Sequence, residues 1–67
     1  MMTITVNGEP REVPTGTTVS ALLQSLGLQP RLIVVEHNRE ILGRSSYDAT
    51  EVRPGDALEL VHFVGGG

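Results

Sequence analysis

Residues 17–28 read Thr-Thr-Val-Ser-Ala-Leu-Leu-Gln-Ser-Leu-Gly-Leu. Within them Val19, Leu22, Leu23 and Leu26 recur at i, i+3, i+4 and i+7, which places them on one face of an α-helix. Thr17 or Thr18 can accept a hydrogen bond from a first-turn N–H that has no partner inside the helix. Gly27 follows the last periodic residue, where a helix commonly ends through a left-handed residue that costs glycine little. Leu28 can then fold back on the helix, as in a Schellman ending. Start, face and stop agree, so the stretch predicts one short amphipathic helix.

On either side the period changes to two. Upstream, Met2, Ile4 and Val6 share one face and Thr3 and Thr5 the other, the pattern of a half-buried strand. Asn7-Gly8 tolerates positive φ and suits a tight hairpin turn. The return strand, about Glu9 to Val13, carries Pro10 and stops at Pro14, which reads as a sheet edge. Downstream of Pro30, Ile33 and Val35 share a face, and Leu32 and Val34 share the other. Such a strand is central, or has an open face that meets a partner. Asn38-Arg39-Glu40 predicts a turn, and Ile41-Leu42 a short strand. Gly43 to Val52 is irregular, with Tyr47 as its anchor. Arg53-Pro54-Gly55-Asp56 suits a turn with Pro second and Gly third. In the last strand, Ala57 to Val64, Leu58 and Leu60 face one way and Glu59, Val61 and Phe63 the other. Gly65-Gly66-Gly67 follows.

The order strand, strand, helix, strand, short strand, strand narrows the assembly. One helix covers one sheet face, and its crossover lets a later strand run parallel to the first. The expected fold is therefore α+β: a mixed four- to five-stranded sheet gripping one helix, the β-grasp or ubiquitin-like arrangement. The helix should pack on Ile4, Leu58 and Leu60. Residues 1–64 form the domain and 65–67 a flexible glycine tail.

Composition narrows the function. A 67-residue chain is one small domain with little room for an enclosed pocket of substrate size, ~300 Å³ or more. A self-contained enzyme is disfavoured. Zero Cys removes disulfides, a zinc-thiolate site and a catalytic thiol together. Five Arg and no Lys stand against eight acidic residues, for a net charge of -3. Nucleic-acid binders carry a basic face, so no nucleic-acid partner is expected. No apolar run is long enough to span a membrane, and the N-terminus lacks a secretion pattern. A cytoplasmic monomer is the default expectation.

Ser45, Ser46, His37, His62, Asp48 and Asp56 include the residue types of a hydrolytic triad. However, Gly-Arg-Ser-Ser-Tyr at 43–47 is not a Gly-x-Ser-x-Gly elbow. His37 and His62 lack metal-ligand spacing, so no metal is expected and turn or structural roles are simpler. The glycine end carries more. Gly has no Cβ, so Gly65, Gly66 and Gly67 can thread a cleft that excludes side chains. The carboxylate of Gly67 would then reach an active site on another protein. Val34, Val61 and Phe63, on the face opposite the helix, are the expected partner contacts.

The segments ITVNGEP, TTVSALLQSLGL, IVVEHNREILGRSSY and VRPGDALELVHFVGGG together resemble the ThiS-like sulfur carriers of thiamine biosynthesis. HNREILGR and GDALELVHFVGGG are the most specific parts, and the likeness covers essentially the whole chain. His37 departs from it, standing where related chains often carry an apolar residue. The resemblance implies that an E1-like adenylyltransferase spends ATP to adenylate Gly67. A persulfide from a sulfur-transfer protein then displaces AMP, and the resulting thiocarboxylate supplies thiazole synthase. No cofactor would be bound to the carrier itself. Two features of the sequence agree: no phosphate-cradling loop, so ATP would bind the partner, and no Cys to carry sulfur on a side chain. The competing expectations are a carrier for molybdopterin synthesis, a ubiquitin-like protein modifier, and a passive β-grasp interaction module.

Overall fold

The computed structural model describes residues 1–62. Strand β1 (Met2–Val6) buries Met2, Ile4 and Val6 and leaves Thr3 exposed. Asn7 and Gly8 have φ of 51° and 83°, the signs of a type I′ turn, whose twist matches a two-residue hairpin. Strand β2 (Glu9–Val13) returns antiparallel with Val6 opposite Glu9 and Met2 opposite Val13. It forms one edge of the sheet, where the missing N–H of Pro10 costs no ladder bond.

Helix α1 (Val19–Ser25) has Thr18 as its N-cap, whose hydroxyl accepts from Ala21 N–H at 3.1 Å. The preceding donors are also satisfied: Val19 N–H reaches Thr50 C=O (2.8 Å) and Ser20 N–H reaches Tyr47 C=O (3.1 Å). The loop after the sheet's far edge thus seats itself on the start of the helix. At the other end Gly27 takes φ of 76°. Leu28 N–H then bonds Leu23 C=O (2.9 Å) and Gly27 N–H bonds Gln24 C=O (3.0 Å), the paired bonds of a Schellman ending. Val19, Leu22 and Leu23 are fully buried, while Leu26 and Leu28 pack on the core only partly covered.

A 3-10 turn over Pro30–Leu32 leads into strand β3 (Ile33–His37). Leu32 therefore belongs to that turn and not to the strand, because Pro30 fixes φ at its start. Asn38 and Arg39, both at positive φ, form the two-residue turn into strand β4 (Glu40–Leu42). The segment 43–52 contains a second 3-10 turn, Arg44–Ser46. Its anchor is Tyr47, which is buried and donates its hydroxyl to Ile33 C=O at 2.7 Å. Strand β5 is described over Ala57–His62.

The five strands are ordered β2-β1-β5-β3-β4. β1 and β5 are parallel, as the helical crossover requires, and the remaining pairs are antiparallel. The core lies between the helix and one sheet face and contains Ile4, Val13, Ile33, Val35, Val52 and Leu58. This is the expected β-grasp. Ile4 and Leu58 are buried on the helix side as expected, and Leu60 joins them there. Leu60 is only partly buried, because it lies beyond the point where β1 covers β5. Phe63 and the tail residues Gly65, Gly66 and Gly67 lie outside the described residues.

Candidate functional site

β5 leads toward the glycines, and it is an interior strand of the sheet with β1 on one side and β3 on the other. Residues opposite one another across the β3–β5 ladder share a face: Ile33 with His62, Val34 with Val61, Val35 with Leu60, Glu36 with Glu59, His37 with Leu58. Alternation turns Ile33, Val35 and Leu58 to the helix. Val34, Val61, Glu36 and Glu59 therefore face away from it.

Val61 is 57% exposed and stands directly across from Val34, which is half-buried. Ile41, opposite Glu36 on the adjacent strand, belongs to the same face and is 68% exposed. Among the described residues, Ile41 and Val61 are the large apolar side chains most exposed after Met1. Val34 and Val61 are the contacts expected from the sequence; Ile41, expected only as part of a short strand, joins their face because β4 pairs it with Glu36.

On the helix side, a groove of about 320 Å³ lies at the same end of the sheet. Its lining is mixed: Val6, Leu26, Leu28, Ile33 and Leu60 supply an apolar floor, and Asn7, Glu9, Arg11 and His62 the polar remainder. Partial exposure of Leu26, Leu28 and Leu60 reflects this open groove. Asn7, at the hairpin turn, also reaches the end of β5: its Oδ1 accepts from Leu60 N–H at 2.7 Å.

The opposite end of the sheet holds the polar cluster. His37 Nε2 donates to Asp56 Oδ2 at 2.6 Å. Arg53 N–H donates to the same oxygen at 2.9 Å, and Asn38 Nδ2 donates to Oδ1 at 3.2 Å. Burial alone pushes the Asp56 carboxyl up, but its bonds from His37, Arg53 N–H and Asn38 outweigh burial and hold it below the usual 3.8. Asn38 Oδ1 also accepts from Ala57 N–H at 2.9 Å. The cluster ties the β3–β4 turn to the Arg53–Asp56 turn. Neither Ser45 nor Ser46 bonds to His37, so the triad residue types do not converge there. His62 lies at the far end of β5, apart from His37. Among the described residues no group of three or more His, Cys, Asp or Glu could hold a metal ion. No helix there is long and apolar enough to cross a membrane.

Comparison with known proteins joins this geometry to a family. The model of the ThiS family matches residues 4–67. A sulfur carrier protein ThiS from Bacillus subtilis is 44% identical over 50 residues, covering 75% of this chain and 76% of that protein. Thiazole synthases from Paramagnetospirillum magneticum and Magnetococcus marinus are 47% and 42% identical over 66 residues. The chain spans 20% of the length of each. The crystal structure of a thiamine biosynthesis protein, ThiS, from Geobacter metallireducens superposes with a TM-score of 0.84 at 43% identity. That superposition covers 98% of this chain and 100% of the other. The family match, the curated relatives and the structural superposition lead to one conclusion: this chain belongs to the ThiS family.

Proposed function

We propose that this chain is a sulfur carrier of thiamine biosynthesis, handled by other enzymes as a protein co-substrate. The observation that carries this reading is the match of a ThiS-family β-grasp to a chain whose interior strand β5 leads to Gly65-Gly66-Gly67. The relatives that contain a matching stretch within a thiazole synthase support that enzyme as the recipient of the sulfur.

A carboxylate is a poor electrophile, so the chemistry starts with activation. The Gly67 carboxylate attacks the α-phosphate of ATP on an E1-like adenylyltransferase. This forms the acyl-adenylate and releases pyrophosphate. A persulfide of a sulfur-transfer protein then attacks the acyl carbon, and AMP leaves. A second thiol cleaves the S–S bond of the acyl disulfide. The thiocarboxylate stays on Gly67, and the donor protein is left in a mixed disulfide. This chain contributes the nucleophilic carboxylate, a thread without side chains, and a rigid body to be gripped. The grip falls on Val34 and Val61, with Phe63 as the neighbouring contact.

Intact mass tests the reading. The chain is incubated with the adenylyltransferase, ATP and a persulfide donor, then with thiazole synthase. Exchange of one oxygen for sulfur is expected, and its loss in a chain lacking Gly67. A covalent adduct on another protein would instead mark a modifier. An unchanged mass would mark a passive module.

A further inference from the structure

The ladder between β1 and β5 ends early. Its last register pair is Val6 with Leu58, and the chain then turns at Asn7-Gly8 into β2. β5 continues to His62, with β3 alongside down to the pair Ile33 with His62. Ladder parity assigns the backbone groups. The carbonyls of Asp56 and Leu58 accept from Thr5 and Asn7 N–H at 2.9 and 2.8 Å, so even-numbered residues of β5 point their backbone groups toward β1. Odd-numbered residues point theirs toward β3. Asn7 Oδ1 takes Leu60 N–H. The next groups on that side are Leu60 C=O and His62 N–H. Among the described residues no strand lies opposite them.

A donor and an acceptor side by side on an interior strand match the backbone of an extended peptide. We infer that a partner enzyme adds an extended segment to the sheet here, pairing with Leu60 C=O and His62 N–H and placing an apolar side chain in the groove at Leu26, Leu28 and Leu60. The inference rests on the carrier reading and extends it to a second mode of grip. The occupant is a partner segment because β5 runs directly into residues 63–67. A protein that receives Gly67 has to approach the C-terminal end of β5, where Leu60 C=O and His62 N–H lie. Asn7 fixes the register of the added segment, because its side chain already occupies Leu60 N–H and stops the segment there. The same bond shortens the open edge to a stub, which limits edge-to-edge pairing between free copies.

The test is a chain made by chemical ligation with an ester in place of the amide N–H of residue 62. A second chain carries the ester at residue 61, whose N–H points to β3. The residue-62 ester should leave the melting temperature unchanged and raise Kd for the adenylyltransferase or thiazole synthase about three- to tenfold, the range for one lost hydrogen bond. The residue-61 ester should lower the melting temperature. Hydrogen exchange on the unmodified chain should show the His62 amide fast when free and protected in the complex. Unchanged affinity of the residue-62 ester, or a His62 amide that exchanges as fast in the complex, overturns the inference and leaves the carrier reading standing. Absence of any complex with either enzyme overturns both.

Discussion

Replacing Asp56 should destabilise the fold without touching the hydrophobic core. The Asp56 carboxylate accepts from His37 Nε2 (2.6 Å), Arg53 N–H (2.9 Å) and Asn38 Nδ2 (3.2 Å). Hydrogen bonds to a charged group contribute ~1.5–3 kcal/mol each before losses are shared among coupled neighbours. Asp56→Ala leaves all three donors without this acceptor, and water can replace part of the loss at His37, whose side chain is 22% exposed. A net cost of about 2–3 kcal/mol follows. For a domain this small, ~4–8 °C of melting temperature is lost per kcal/mol, so Asp56→Ala should melt roughly 10–20 °C lower at neutral pH. Asp56→Asn keeps one acceptor oxygen and turns an NH₂ toward a donor, so it should cost about half as much. The pH dependence has a definite sign. The folded carboxyl titrates below the usual 3.8, so its stabilisation is complete above 3.8 and is lost as pH falls through the folded value. The gap between the wild type and Asp56→Asn should therefore close in acid. Circular-dichroism melts across pH make the measurement. An Asp56→Ala chain that melts with the wild type at neutral pH, or a gap that widens in acid, would refute the reasoning.

Three further outcomes are expected. Leu58→Ala empties a fully buried site and should cost ~2–5 kcal/mol; Leu60→Ala, at a partly buried site open to the groove, should cost less than half of that in the same urea titration. Arg39 holds φ of 72° in the β3–β4 turn, so Arg39→Gly should stabilise the chain by about 0.5–1 kcal/mol, read as a rise in the urea midpoint at constant slope. Val61→Asp, at an exposed site, should leave melting within about 1 kcal/mol of the wild type and weaken binding to the adenylyltransferase by ~1 kcal/mol or more; calorimetric titration that finds equal affinity removes Val61 from the interface.

What the sequence determined by itself was the set of local structures, because each rests on groups close together in the chain. Val19, Leu22 and Leu23 define a helical face through spacing alone. Thr18 and Gly27 end the helix through bonds that span three to five residues. Asn7-Gly8 and Pro54-Gly55 fix their turns through φ. The edge position of β2 was legible in Pro10, and the outward direction of Val61 in simple alternation.

Only the tertiary structure decided contacts between residues distant in sequence. His37 and Asp56 are 19 residues apart, and no periodic pattern relates them; the register of β3 against β5 brings their turns together. Asn7 reaches Leu60 across 53 residues because β1 runs parallel to β5 and stops short of its end. Tyr47 and Thr50 cap the helix from an irregular loop whose path is set by the Tyr47–Ile33 bond and by burial of Val52. The partial exposure of Leu60 has the same origin as the open backbone edge beside it. Alternation tells which face a residue takes, but the extent of its cover depends on where the neighbouring strand ends.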